Sequence, residues 1–163
     1  MHDATDLRFM DHALALARQA AERGDVPVGA VVVRDGRILG VGLNRREIDA
    51  DPVGHAEIVA LRDAGRTVDR WRVDGATLYV TLEPCPMCAG AIVSARVARL
   101  VYGTHDPKGG AVRSLYEICS DPRLNHRVDV VSGVRAEEAS QLLKDFFVAA
   151  RARRRAPPTG RQP

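Results

Sequence analysis

Residues 76–94 read Ala-Thr-Leu-Tyr-Val-Thr-Leu-Glu-Pro-Cys-Pro-Met-Cys-Ala-Gly-Ala-Ile-Val-Ser, and the architecture follows from them. Ala76 to Leu82 is apolar and rich in residues that suit a pleated surface, so it reads as a buried strand. Pro84 and Pro86 then open a helical segment from Cys85 to Ser94, because proline is tolerated in a first helical turn. Val97 to Tyr102 is apolar again and reads as the next strand. A strand, a helix and a second strand in succession form a parallel βαβ unit.

The same pattern extends outward. Upstream, Met10, Leu14, Ala17 and Ala21 recur at helical spacing between about Asp6 and Arg23, with Gly24 as the stop. Val28 to Val33 and Ile38 to Leu43 flank a turn containing Asp35-Gly36, the signature of a β-hairpin. A helix is expected from about Gly54 to Ala64, ended by Gly65. Downstream come a loop from Gly103 to Gly110, a short helix over Ser114 to Cys119 and a strand over Arg127 to Ser132. A final helix from about Ala136 carries Leu142, Leu143, Phe146 and Phe147 on one side. The order α-β-β-α-β-α-β-α-β-α predicts a mostly parallel sheet covered on both faces, with one antiparallel pair from the hairpin.

A chain of 163 residues, 45% of them hydrophobic, suits one compact domain. We expect residues 1–150 to form it. Met1 to Asp6 lacks a basic start followed by an apolar run, and no stretch approaches the roughly 20 apolar residues of a membrane helix. The cytoplasm is therefore the expected location. Three cysteines, Cys85, Cys88 and Cys119, do not make a disulfide framework. The net charge of +3 is uneven: residues 151–163 hold five arginines and no acid. Without them 19 basic residues face 21 acidic ones, a balance of −2. This basic tail, expected to be disordered from about Pro157, either tracks phosphates or keeps the chain soluble.

Two strings carry chemistry: His55-Ala56-Glu57 and Pro84-Cys85-Pro86-Met87-Cys88. Cysteines three apart in a first helical turn share one face, and the free N–H groups there favour thiolates. His55 provides a neutral third ligand, and two thiolates balance Zn²⁺. Three protein ligands leave a fourth position for water. Glu57, two residues on, points away from the ligand face and is suited to move that water's proton. A thioredoxin-like redox pair and a structural zinc ribbon remain alternatives, although Cys119 supplies no usual fourth spacing. His-x-Glu followed by Pro-Cys-x-x-Cys is the pattern of zinc deaminases that act on nucleobases.

From about Phe9 to Phe147 the chain resembles the bacterial tRNA-specific adenosine deaminases. The likeness rests on Asp25 to Val32, Asn44-Arg45, His55 to Ile58, Thr77 to Cys85 and Met87 to Ala91. It continues through Asp106 to Gly110, Asn125 to Val128 and Asp145 to Phe147. It implies a three-layer α/β/α cytidine deaminase-like fold with a central five-stranded mixed sheet, and a homodimer with one zinc ion per subunit. It implies hydrolytic deamination of adenosine to inosine at the wobble position of an arginine tRNA, bound by its anticodon stem-loop with no protein partner required. Carried across, His55, Cys85 and Cys88 match the metal ligands and Glu57 the proton shuttle. Asn44 matches a nucleoside contact, Val28 and Leu82 line the pocket, and Asp106, Lys108 and Phe147 fall near the bound anticodon loop. Read without the resemblance, Asn44 is a turn residue, Asp106 a loop cap and Phe147 core packing. His105 and the arginine-rich tail depart from the family pattern. The rival readings are a deaminase of a free base, especially guanine, and a non-catalytic RNA-binding subunit. The basic C-terminus argues against the first and Glu57 against the second.

Overall fold

The computed structural model describes residues 1–157. Its elements are α1 (Ala4–Glu22), β1 (Gly29–Arg34), β2 (Arg37–Leu43), α2 (Ala56–Val68), β3 (Thr77–Leu82), α3 (Pro86–Ser94), β4 (Arg99–Thr104), β5 (Asp129–Ser132) and α4 (Ala136–Arg155). Asp3 opens α1 by accepting a hydrogen bond from the Thr5 N–H at 2.8 Å, and Gly24 follows its end at φ 82°. Asp35 and Gly36 turn the hairpin, both with positive φ.

The five strands lie in the order β2-β1-β3-β4-β5. β3, β4 and β5 run parallel, while β1 is antiparallel to both β2 and β3. The sheet is therefore mixed, with one more antiparallel pair than the strand order alone predicts. The connection through α2 carries the chain past β1, so β3 pairs with β1 rather than with β2.

Alternate residues along the strands feed two cores. Ala30, Val32, Leu78, Val80, Leu100 and Tyr102 pack under α2 and α3. Val31, Val33, Tyr79 and Val101 pack against α1 through Phe9, Met10 and Ala13. With α4 lying beside α1 and across β4, the layers are helix, sheet, helix. α2 lies unusually close to the sheet. A methyl group at Gly40 or Gly42 of β2 would overlap its backbone at Ala56, Ala60 and Ala64. This fit fixes where α2 begins, and so where His55 stands.

Two sequence expectations need revision. α2 runs through Gly65 and closes a turn later, with Asp69 in the left-handed conformation and the Arg70 N–H bonded to the Gly65 carbonyl. In place of a helix over Ser114 to Cys119 there is only a 3₁₀ turn at Ile118–Ser120. The Ile118 N–H, which a helix would direct to the Ser114 carbonyl, donates instead to the Ala111 carbonyl at 3.0 Å. α4 runs to Arg155, so Arg151 and Arg153 to Arg155 lie on the helix. Of the expected disordered tail, residues 158–163 lie outside the described residues. Among those described, no helix is long and apolar enough to cross a membrane.

Candidate active site

His55 and Cys85 hold equivalent places, each the residue before a helix that starts at the edge of the sheet. Both have extended backbone and neither side chain is spent on capping. His55 Nδ1 lies 3.5 Å from Cys85 Sγ and 3.4 Å from Cys88 Sγ. All three donor atoms fall within 4.8 Å of one another. Tetrahedral zinc with ordinary bond lengths would hold a nitrogen and a sulfur about 3.6 Å apart, so the donor set fits that ion. Cys88 is fully buried behind the site, whereas His55 and Cys85 are half-buried.

Proton affinities in the cluster are strongly biased. A hydrogen bond from the Cys88 thiol, helped by His55, brings Cys85 down to about 4 against the cost of its burial. The same contact with Cys85, together with burial, pushes Cys88 up. The bond to the Cys85 sulfur raises His55. The trio thus shares protons where a divalent cation would replace them. Burial pushes the Glu57 carboxyl up to about 7, with its own backbone N–H and His55 opposing the rise. A carboxylic acid tuned to neutral pH is suited to taking and returning a proton.

The cluster lies at the floor of a cleft of about 980 Å³. All the other site residues expected from the sequence line it: Val28, Asn44, Glu57, Leu82, Asp106, Lys108 and Phe147. Asn44 is buried and also caps its own turn, accepting from the Arg46 N–H at 3.3 Å. Asp106 likewise caps a loop, accepting from the Lys108 and Gly109 N–H groups at 3.1 Å each. For both residues the turn reading holds, and both also line the cleft. Phe147 is 44% exposed, which excludes core packing. His105 also lines the cleft, with Nδ1 3.0 Å from the Tyr102 hydroxyl. Cys119 is fully buried in the larger core and is not part of the donor cluster.

The cleft has lining residues that the sequence reading passed over, Arg46, Glu83 and Lys144, and Arg151 at the start of the basic run joins them. Lys144, Phe147, Val148 and Arg151 form one face of α4 at spacings of three and four, a signal available from the helical pattern. Glu83 is an acid at the end of an apolar strand, held fully buried. Burial would raise its carboxyl, but hydrogen bonds from Ser114, Asp106 and Arg113 prevail and bring it down to about 2. A second buried carboxylate, Asp25, accepts from the N–H groups of Glu47 and Ile48 at 2.9 and 3.1 Å and so secures the loop after Asn44.

Comparison with known proteins agrees with this geometry. A family model described as MafB19-like deaminase matches residues 4–151. The tRNA-specific adenosine deaminase of Bacillus subtilis is 44% identical over 93% of this chain and 94% of its own length. That of Haemophilus influenzae is 49% identical over 87% of this chain and 83% of its own. A solved structure from work on A-to-I editing by tRNA:A34 deaminases superposes with a TM-score of 0.81 at 48% identity, covering 83% of this chain and 99% of that one. A guanine deaminase from Nitrosomonas europaea, 24% identical, shares the fold with a TM-score of 0.73 over 91% of this chain and 86% of its own. With the match across residues 4–151 and relatives at 44% and 49% identity, the chain belongs to the family of tRNA-specific adenosine deaminases.

Proposed function

We propose that this protein converts adenosine to inosine at the wobble position of a tRNA anticodon, an arginine tRNA among its substrates, with one zinc ion per subunit held by His55, Cys85 and Cys88. The observation that carries the reading is the buried Glu57 in a cleft that joins a three-donor cluster to the cationic face of α4. A redox pair would not need His55 within 3.5 Å of both sulfurs. A structural site would need a fourth donor, and among the described residues the cluster has three.

When bound, zinc supplies the Lewis acidity that makes water a nucleophile at neutral pH. The target base leaves the anticodon loop and enters the cleft between the apolar side chains of Val28 and Leu82. The Asn44 amide orients it. Glu57 takes a proton from the attacking water and places it on N1 as C6 is attacked. It then takes the proton of the new C6 hydroxyl and passes it to the amino group, which departs as ammonia and leaves the C6 carbonyl of inosine. Burial keeps Glu57 protonatable near neutrality and limits loss of its proton to solvent. Elsewhere on the cleft wall, Asp106, Lys108 and Phe147 contact the anticodon loop. Arg46, Lys144 and Arg151 face its phosphates, and the basic segment from Arg151 extends that surface as an appendage to the deaminase domain.

A cytoplasmic homodimer is part of the proposal. Leu115 and Tyr116 are 54% and 58% exposed, a cost for a solitary chain. The outward positions of α3, Met87, Gly90, Ala91 and Ser94, carry no charge. Both features suit a second copy.

The test is to treat an anticodon stem-loop bearing a wobble adenosine with the purified chain and sequence the cDNA. An A-to-G change at that position, abolished by a chelator and restored by zinc, is expected, with guanine left unchanged. Turnover of guanine with none of RNA would make the protein a free-base deaminase. No turnover of either would make it a binding subunit.

A further inference from the structure

Glu83 lines the cleft, yet no step above uses it. It follows the last residue of β3 and stands two residues before Cys85. Its side chain is fully buried. One carboxylate oxygen accepts from the backbone N–H groups of Val112, Arg113 and Ser114 at 3.2, 2.7 and 2.8 Å. The other accepts from the Asp106 N–H at 2.9 Å and the Ser114 hydroxyl at 2.5 Å. All five donors belong to one loop, and no helix or strand runs between Thr104 and Ile118 to order it. Gly110 lies so close that a methyl group there would overlap the Glu83 carboxylate. The same loop brings Asp106 and Lys108 to the cleft wall.

We infer that Glu83 is a positioning residue that presents the loop of residues 105–114 to RNA, setting substrate affinity rather than the chemical step. A carboxylate offers about four lone-pair directions, and here both oxygens are taken by loop donors. Glu83 is in turn rooted at the end of a central strand, which loop motion does not displace. The backbone of the loop therefore takes its shape from a point inside the protein. This inference rests on the RNA reading for its kinetic half, while its structural half needs no substrate.

The test uses the full zinc-loaded chain carrying Glu83→Gln. Glutamine keeps the shape but turns an amide N–H₂ toward donors that need an acceptor. The amides of Asp106, Val112, Arg113 and Ser114 should exchange with solvent about tenfold faster or more, as a local opening requires. KM for the stem-loop should rise about tenfold while kcat changes by less than about threefold, the pattern of lost uniform binding. Zinc content should stay stoichiometric. Ser114→Ala removes one bond and should move the same readouts in the same direction by about two- to threefold. It decides the matter should Glu83→Gln not fold. Unchanged loop exchange in the folded variants, a fall in kcat at constant KM, or loss of zinc would each overturn the inference. Absence of inosine with the wild-type chain overturns the functional reading and the kinetic half with it, leaving exchange to decide whether Glu83 orders the loop.

Discussion

Salt dependence gives the sharpest test of what the cleft is for, because the structure fixes how many cations face it. Four line it: Arg46, Lys108, Lys144 and Arg151. Each phosphate contact to a single-stranded segment contributes about 0.7 to the slope of log affinity against log salt. Four contacts give a slope of about −2.8, so raising salt from about 50 to about 200 mM weakens binding about 50-fold. Replacing Lys144 and Arg151 together by alanine leaves two contacts, a slope of about −1.4 and a loss of about sevenfold over the same range. Both residues are on the exposed face of α4, so the variant should keep its fold and zinc. Fluorescence anisotropy of a labelled anticodon stem-loop across a salt series measures the slopes directly. A wild-type slope near zero would refute the reasoning, as would a double variant that retains the wild-type slope. A neutral free base has no counterions to release, so the same experiment separates the two substrate classes.

Replacing Glu57 by glutamine should lower turnover about 10²- to 10⁴-fold with zinc content unchanged, and full activity would remove it from proton transfer. Gly42→Ala should destabilise the fold by about 1–3 kcal/mol through overpacking against α2 and loosen zinc as His55 shifts. A wild-type urea midpoint would show that α2 has room to move. Asp6 is buried, bound at 2.7 Å to both terminal nitrogens of Arg99, and held below its ordinary 3.8 by that partner and Tyr79. A lowered carboxyl stabilises the fold fully above the unfolded value and ceases to do so as pH falls through the folded one. Asp6→Asn should therefore lower the urea midpoint at neutral pH and converge on wild type below about pH 3.8, whereas a gap constant with pH would show that Asp6 is not ionised in the fold.

What the sequence made legible was local. The His55 and Cys85 strings are readable because ligand spacing and helix starts lie within a few residues of each other, and so does the Asp35-Gly36 turn. The antiparallel seat of β3 beside β1 is not, since pairing order is set by how α2 carries the chain across the sheet. The helix expected over Ser114 to Cys119 failed for a related reason. The amides leading into it, of Val112, Arg113 and Ser114, are drawn to Glu83, about thirty residues upstream in sequence, and the Ile118 N–H goes to the Ala111 carbonyl. On α4 the expected apolar side exists, but only Ala139 is buried on that helix. The leucines and phenylalanines are not a core stripe; Leu143 and Phe147 serve the cleft.

The end of β3 joins what would otherwise be separate problems. Leu82 is a wall of the cleft, Glu83 accepts five hydrogen bonds from the loop after Thr104 and Cys85 belongs to the candidate metal cluster, all within four residues. Leu82 pairs in register with Thr104 of β4, and the Glu83 N–H donates to the Thr104 carbonyl at 2.9 Å. The substrate loop begins at the next residue, His105. The candidate metal cluster and the loop are thus tied through backbone hydrogen bonds of the sheet, with the Glu83 carboxylate holding the loop beyond them. The distance from metal floor to loop wall is therefore a property of strand pairing. Substitutions along the loop can change which nucleotides are read while the spacing needed for chemistry stays fixed, and only a change at β3 or β4 should disturb both at once.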